Sequence, residues 1–172
     1  LILNRVGGNN RAEIENWLEV MSENKTDLIF SSQNGFYLNN TGFINFDKVI
    51  FTTSKVFLDG NGDIQPFNIR GGRIDIGREG INAEGLQYLA LLSKQISIDG
   101  MISAKDGDLD IIAGEFDYNP NTREYTNKAS YNGDMLISAS AYGSIYGQQI
   151  TVVANGGDLG VQSDMIGYKV LS

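Results

Sequence analysis

The sequence predicts an all-β chain wound into stacked coils, a parallel β-helix, and three observations predict it. Short apolar or alternating runs recur along the chain, each closed by Gly, Asn or Asp, which is how short strands bounded by turns read. The run centres Ile50, Ile74 and Ile96 are spaced by 24 and then 22 residues, a period that belongs to stacked repeat units. Glycine is in excess, 21 of 172 residues against 2 prolines, so many turns have to be made. A β-sandwich would also carry many short strands, but two-residue hairpin signals are few here.

Taken in order along the chain, residues 11–24 carry Ile14, Trp17, Leu18 and Met21 at helical spacing, with Asn10 as N-cap and Glu13 completing a capping box. On pattern alone this is an amphipathic helix. Residues 28–30 and 49–51 are short apolar strands. Asn61-Gly62, flanked by Val56, Phe57, Leu58 and Ile64, is the best hairpin signal and predicts a local antiparallel pair beside a coil. Residues 74–76 and 96–98 alternate isoleucine with polar residues, as half-buried strands do. Between them Leu86, Leu89 and Leu92 recur along one side, a second and short helical candidate over residues 86–93. Residues 109–112 and 150–153 are again strand-like. The polar stretch 115–133, with Asn119-Pro120-Asn121, is expected to leave the coil, because Ile111 and Ile150 lie 39 residues apart, close to two repeats.

Composition bounds the function. The length is that of one domain, so residues 1–172 are read as a single unit able to bury a continuous core. Its formal net charge of -8 excludes ordinary nucleic-acid binding, which needs clustered Lys and Arg to neutralise phosphates. With no cysteine and no histidine, the chain has no Cys/His nucleophile, no thiolate zinc site and no histidine general base. No apolar run approaches the roughly 20 residues that span a bilayer.

An ordered set of motifs then stands out. It begins with Leu3-Asn4-Arg5-Val6-Gly7-Gly8-Asn9, followed by Trp17-Leu18-Glu19-Val20 and by Asp27-Leu28-Ile29-Phe30 leading into Asn34-Gly35. It continues with Thr41-Gly42-Phe43-Ile44-Asn45, Gly72-Arg73-Ile74, Gly80-Ile81-Asn82 and Leu91-Leu92-Ser93-Lys94. Asp108-Leu109, Ile112-Ala113-Gly114, Ile145-Tyr146-Gly147 and Gly160-Val161 complete it. In this order the set resembles the haemagglutination-activity, or two-partner-secretion, domain of filamentous-haemagglutinin-like and contact-dependent-inhibition exoproteins.

The resemblance implies a right-handed parallel β-helix with short hairpin or loop excursions. It implies secretion across the inner membrane, passage through the periplasm of a Gram-negative bacterium and recognition by an outer-membrane transporter bearing periplasmic POTRA domains. It also implies that Leu18, Glu19 and Val20 belong to a strand after a short turn, and that reading is preferred to the helix. Partner recognition would fall on Ser32, Gln33, Asn34 and Gly35, which stand where the family has Asn-Pro-Asn-Gly and keep its second half, and on Gly42, Phe43, Ile44 and Asn45. A cysteine pair of some relatives would fall near Leu38 and Thr41, so that turn is held here by packing. Relatives carry a further stretch before the point matching Leu1, so this chain is expected to be a piece of the domain lacking its amino-terminal part.

Asp59-Gly60-Asn61-Gly62-Asp63 and Asp106-Gly107-Asp108-Leu109-Asp110 alternate acidic groups as calcium loops do, but Ile64 and Ile111 occupy the position of the sharp-turn glycine. Both read as turns, and no cofactor or metal is expected. Asp75 and Asp99 could pair as in a β-helical polysaccharide lyase or glycoside hydrolase, yet they alternate with Ile74, Ile76, Ile96 and Ile98 and so face solvent. The expectation is therefore a non-enzymatic secretion and folding module. The alternative is an adhesive or glycan-binding surface segment, touching a host or bacterial cell surface through the full exoprotein.

Overall fold

A computed structural model describes residues 1–168, and among them there are strands and turns but no helix. The chain makes six coils, each laying one strand on each of three parallel sheets. The first coil is β1 (Ile2–Val6), β2 (Ala12–Ile14) and β3 (Leu18–Glu19); the second is β4 (Thr26–Ser32), β5 (Phe36–Leu38) and β6 (Thr41–Ile44). The third is β7 (Phe46–Thr52), an excursion containing β8 (Phe67–Ile69), then β9 (Arg73–Ile76) and β10 (Ile81–Asn82). The fourth is β11 (Tyr88–Ser93), β12 (Gln95–Ile98) and β13 (Ile102–Ala104). The fifth is β14 (Asp108–Gly114), an excursion with β15 (Phe116–Tyr118) and β16 (Tyr125–Asn127), then β17 (Met135–Ala139) and β18 (Ile145–Gly147). The sixth is β19 (Ile150–Asn155), β20 (Asp158–Val161) and β21 (Met165–Gly167). The parallel β-helix expected from the sequence is the fold.

The register explains why isoleucine and leucine recur. Each inward position stacks on its equivalent one coil away, as in the ladder Leu28, Val49, Leu89, Leu109 and Ile150 on the first sheet. Ile74 and Ile96 are true partners, whereas Ile50 lies on a different sheet and pairs with Ile29 and Ala90. The 22-residue spacing is thus a coil and the 24-residue one is not. Where an excursion intervenes, a coil step lengthens to 40 residues from Val49 to Leu89 and to 41 from Leu109 to Ile150.

Both helical patterns are strands. Residues 11–24 form β2 and β3, joined by a turn, as the family resemblance implies. Residues 86–93 contain β11, whose six residues are all buried. Leu89 and Leu91 point into the coil interior and Tyr88, Ala90 and Leu92 point outward into a second core. A strand covered on both faces loses the polar alternation that distinguishes it from a helix.

That second core arises because the excursions fold back over the outer face of the first sheet. β8, β15 and β16 make a small antiparallel sheet whose Phe67, Ile69, Phe116 and Tyr118 pack on Ile50, Tyr88, Leu92 and Ile112. The Asn61-Gly62 hairpin forms as predicted, with Leu58 bridged antiparallel to Ile64. Inside the coils, Phe30, Phe36 and Phe51 cluster with ring centroids 5.2 to 5.9 Å apart. Such contacts supply much of the stabilisation that a cysteine-free chain must draw from burial.

Candidate recognition turns

Ser32, Gln33, Asn34 and Gly35 make the corner between β4 and β5. Ser32 ends its strand fully buried, and the Gly35 N–H donates to the Ser32 carbonyl at 3.0 Å, closing a tight turn that leaves Gln33 and Asn34 exposed. The Asn34 side-chain amide donates to the Gly8 carbonyl at 2.6 Å, and the Gly35 carbonyl accepts the Ala12 N–H at 2.9 Å. The corner is therefore stitched to the first coil on one side. On the other side Gly35, at φ +94°, lies against the third coil, where a Cβ would fall 2.1 Å from the Arg73 carbonyl oxygen. No residue with a side chain fits that approach without moving backbone.

Gly42, Phe43 and Ile44 lie within β6, and Asn45 alone makes the corner between β6 and β7. Gly42 lies under the Trp17 indole, whose ring would sit 2.4 Å from an added Cβ. Phe43 is core, 6.1 Å from Phe51 and 6.3 Å from Phe46 between ring centroids, while Ile44 is exposed. Asn45 adopts φ +65°, a conformation that asparagine tolerates better than most residues. Its amide donates to the Val20 carbonyl at 3.0 Å, and its carbonyl accepts the Thr26 N–H at 3.0 Å. The eight residues thus fall in two separate segments, the β4–β5 corner and the end of β6 with the corner after it, rather than in one patch. Each corner uses an asparagine amide to tie coil two to coil one, and four of the eight side chains, those of Gln33, Asn34, Ile44 and Asn45, are open to solvent.

The acidic motifs are built into turns and ion pairs. Asp59 Oδ1 accepts the Asn61 and Asp63 N–H groups at 2.8 and 2.9 Å, an Asx-type turn within the hairpin. Asp106 accepts the Gly85 N–H at 2.8 Å, and Asp108 pairs with Arg123 at 3.0 Å. Asp75 is held by Arg11 and Arg73, and Asp99 accepts the Ser140 hydroxyl at 2.6 Å. Their neighbours Ile74, Ile76, Ile96 and Ile98 are buried, so both carboxylates lie on the outside of the second sheet.

One polar cluster carries no sequence signal. The buried Tyr88 hydroxyl donates to Asp110 at 2.6 Å and meets the Tyr118 hydroxyl, while the Arg123 guanidinium stacks 3.7 Å from the Tyr88 ring centroid. Burial, then the charges of Tyr118 and Asp110, push the Tyr88 hydroxyl far above the usual phenol range. Burial likewise raises Tyr118 to about 12. These groups hold the small antiparallel sheet onto the coils, and Tyr88 and Tyr118 are 30 residues apart in the chain.

With this geometry in view, known proteins agree on one assignment. The family model described as TPS secretion domain matches residues 1–167. Filamentous hemagglutinin of Bordetella pertussis is 29% identical over 170 residues, which is 94% of this chain and 5% of that protein. The tRNA nuclease CdiA of Yersinia mollaretii is 29% identical over 163 residues, covering 93% of this chain and 5% of its own length. A crystal structure of the filamentous hemagglutinin secretion domain superposes with a TM-score of 0.81 at 23% identity, over 97% of this chain and 70% of that one. The chain spans about 5% of the length of these curated relatives, and the matched region is a secretion domain rather than a catalytic one.

Proposed function

This chain belongs to the TPS secretion domain family, and from that premise we propose that it is the amino-terminal secretion and folding-nucleating module of a large bacterial surface exoprotein. The partner is an outer-membrane two-partner-secretion transporter, which engages the module through periplasmic POTRA domains. The exoprotein passes through the periplasm and ends secreted or at the cell surface of a Gram-negative bacterium. One observation carries this reading: the family match runs over residues 1–167 and so takes in all six coils and both excursions as one unit.

The fold suits the role. A parallel β-helix pairs each coil with the next and leaves the backbone of its outermost coils open, so an extended segment can add a strand there. At the far end, Leu159 and Met165 are exposed and line, with Ile150 and Val152, a concavity of about 480 Å³. A following coil would bury these residues and propagate the helix by nearest-neighbour stacking.

Recognition is assigned to the two corners at Ser32, Gln33, Asn34, Gly35 and at Gly42, Phe43, Ile44, Asn45. The buried members set the turn geometry and the exposed Gln33, Asn34, Ile44 and Asn45 supply contact. Titration calorimetry of the domain against the periplasmic region of the transporter encoded beside its gene tests the proposal. Saturable binding is expected; absence of binding by the folded domain overturns it.

A further inference from the structure

The third sheet, formed by β3, β6, β10, β13, β18 and β21, carries a groove that the recognition turns do not account for. Trp17 lies flat over Gly42, so one ring face is covered by the sheet, and the residue is still 48% exposed. Beside it is a groove of about 270 Å³ whose lining includes Asn40, Glu79, Asn82, Glu84 and Met101. Met101 is also 48% exposed. An exposed Trp and Met on one sheet face are an unusual expense of apolar surface unless something covers them.

The charge of the groove indicates what covers it. Its lining holds two carboxylates and no Lys or Arg. Glu84 accepts the Ser103 hydroxyl at 2.9 Å and has Lys105 at 3.8 Å. Among the described residues the Glu79 carboxylate makes no ion pair, and neighbouring Arg78 is turned away, stacked 3.9 Å from the Tyr142 ring centroid. An indole face is itself electronegative and Trp is the best aromatic receptor for a cation. The ring and the carboxylates therefore present the same sign to the same space. Asn40 holds this corner at φ +52°, a left-handed conformation uncommon for a residue with a side chain.

We infer that this groove seats an arginine side chain of the transporter's periplasmic region, its guanidinium stacked on Trp17 and paired with Glu79 and Glu84. Arginine fits better than lysine because a planar fork can stack on a ring and bond a carboxylate at once. A neutral sugar could also stack on Trp17 and donate hydroxyls to the carboxylates but would leave their charge uncompensated, and the net charge of -8 steers a basic partner to this chain. The inference rests on the transporter-docking reading and adds a second, electrostatic contact to the two corners.

The test is calorimetric titration of wild type, Trp17→Ala, Trp17→Phe and Glu79→Gln/Glu84→Gln against that periplasmic region at several salt concentrations. Trp17→Ala and the double variant are each expected to weaken binding roughly tenfold, with Trp17→Phe between them and wild type. The double variant should also show a shallower salt dependence. Asp63→Asn/Glu124→Gln, which removes the same charge from the excursions, should bind like wild type. Circular dichroism separates loss of fold from loss of contact, and Trp17→Phe keeps an aromatic cover over Gly42 should alanine unfold the corner.

Wild-type binding with unchanged affinity in all groove variants overturns the groove while leaving docking intact. Equal weakening by Asp63→Asn/Glu124→Gln also overturns it, since net charge alone would then explain the effect. No binding by wild type removes the docking reading and the groove with it. Because Trp17 is the single tryptophan, its fluorescence gives a direct readout. Quenching by neutral oligosaccharides and not by N-acetyl-arginine amide would replace the arginine with a sugar.

Discussion

Substituting Gly35 by alanine isolates what the stacking of coils demands of this sequence. Two costs are expected. The first is conformational, because Gly35 sits at φ +94° and an L-residue held in a left-handed conformation costs about 1 to 2 kcal/mol. The second is steric, because the added Cβ would stand 2.1 Å from the Arg73 carbonyl oxygen, so backbone must move by about an ångström. Overpacking of this kind costs about 1 to 3 kcal/mol, for a total of roughly 2 to 5 kcal/mol. Gly62 supplies the control. It has φ +86° in the hairpin, with nothing within 4 Å of an added Cβ, so Gly62→Ala should show the first cost alone. Urea unfolding followed by far-ultraviolet circular dichroism would compare the two, with Gly35→Ala losing more stability than Gly62→Ala by the steric cost of about 1 to 3 kcal/mol. Equal losses would refute the close approach of the second and third coils.

Phe51→Ala removes a fully buried ring that contacts Phe30, Phe36 and Phe43, and should cost about 3 to 5 kcal/mol in the same urea assay. Alkaline pH should loosen the extra-helical sheet. Tyr118 and Tyr88 are phenols whose folded-state pKa values are raised above 10, so the folded state holds their protons more tightly than the unfolded state. Their contribution is complete below pH 10 and is lost as the pH rises from 10 through about 12, the value for Tyr118. Stability measured from pH 8 to 12 should fall in that window, and less steeply in Tyr118→Phe. Asn34→Leu should reduce secretion more than Asp75→Asn or Asp99→Asn, because it removes the 2.6 Å tie between the Ser32–Gly35 turn and Gly8, whereas the aspartates bond to Arg11, Arg73 and Ser140, outside both candidate recognition segments. Equal secretion of the three variants, measured by immunoblot of the medium, would contradict that role for the turn.

The fold could be read in the sequence wherever a local rule survives three-dimensional context. Asn61-Gly62 gave its hairpin away because turn chemistry is local, and Ile74 with Ile96 revealed the coil because no excursion lies between them. Ile50 misled the periodicity because three sheets carry similar short runs, and spacing alone does not say which sheet a run joins. Residues 86–93 resembled a helix because β11 is buried on both faces. The antiparallel pairing of β8 with β15 joins Asn68 to Asp117, 49 residues away, and no local pattern announces such a partner. At the two candidate segments the motif residues stood out in the sequence, but which of them are buried and which open to solvent did not. Ser32 and Gln33 are adjacent and polar, yet one is buried and the other open. The Trp17 groove was hidden for a similar reason. Trp17 fitted a helical core stripe, and only its stacking on Gly42, 25 residues later, turns it outward.

The measurement that tests the secretion role most directly is export of this domain from Gram-negative cells carrying or lacking its two-partner-secretion transporter. The domain should accumulate in the medium, folded and protease-resistant, when the transporter is present and stay in the periplasm when it is absent. Equal release from both strains, or retention in both with the domain folded, would contradict the account.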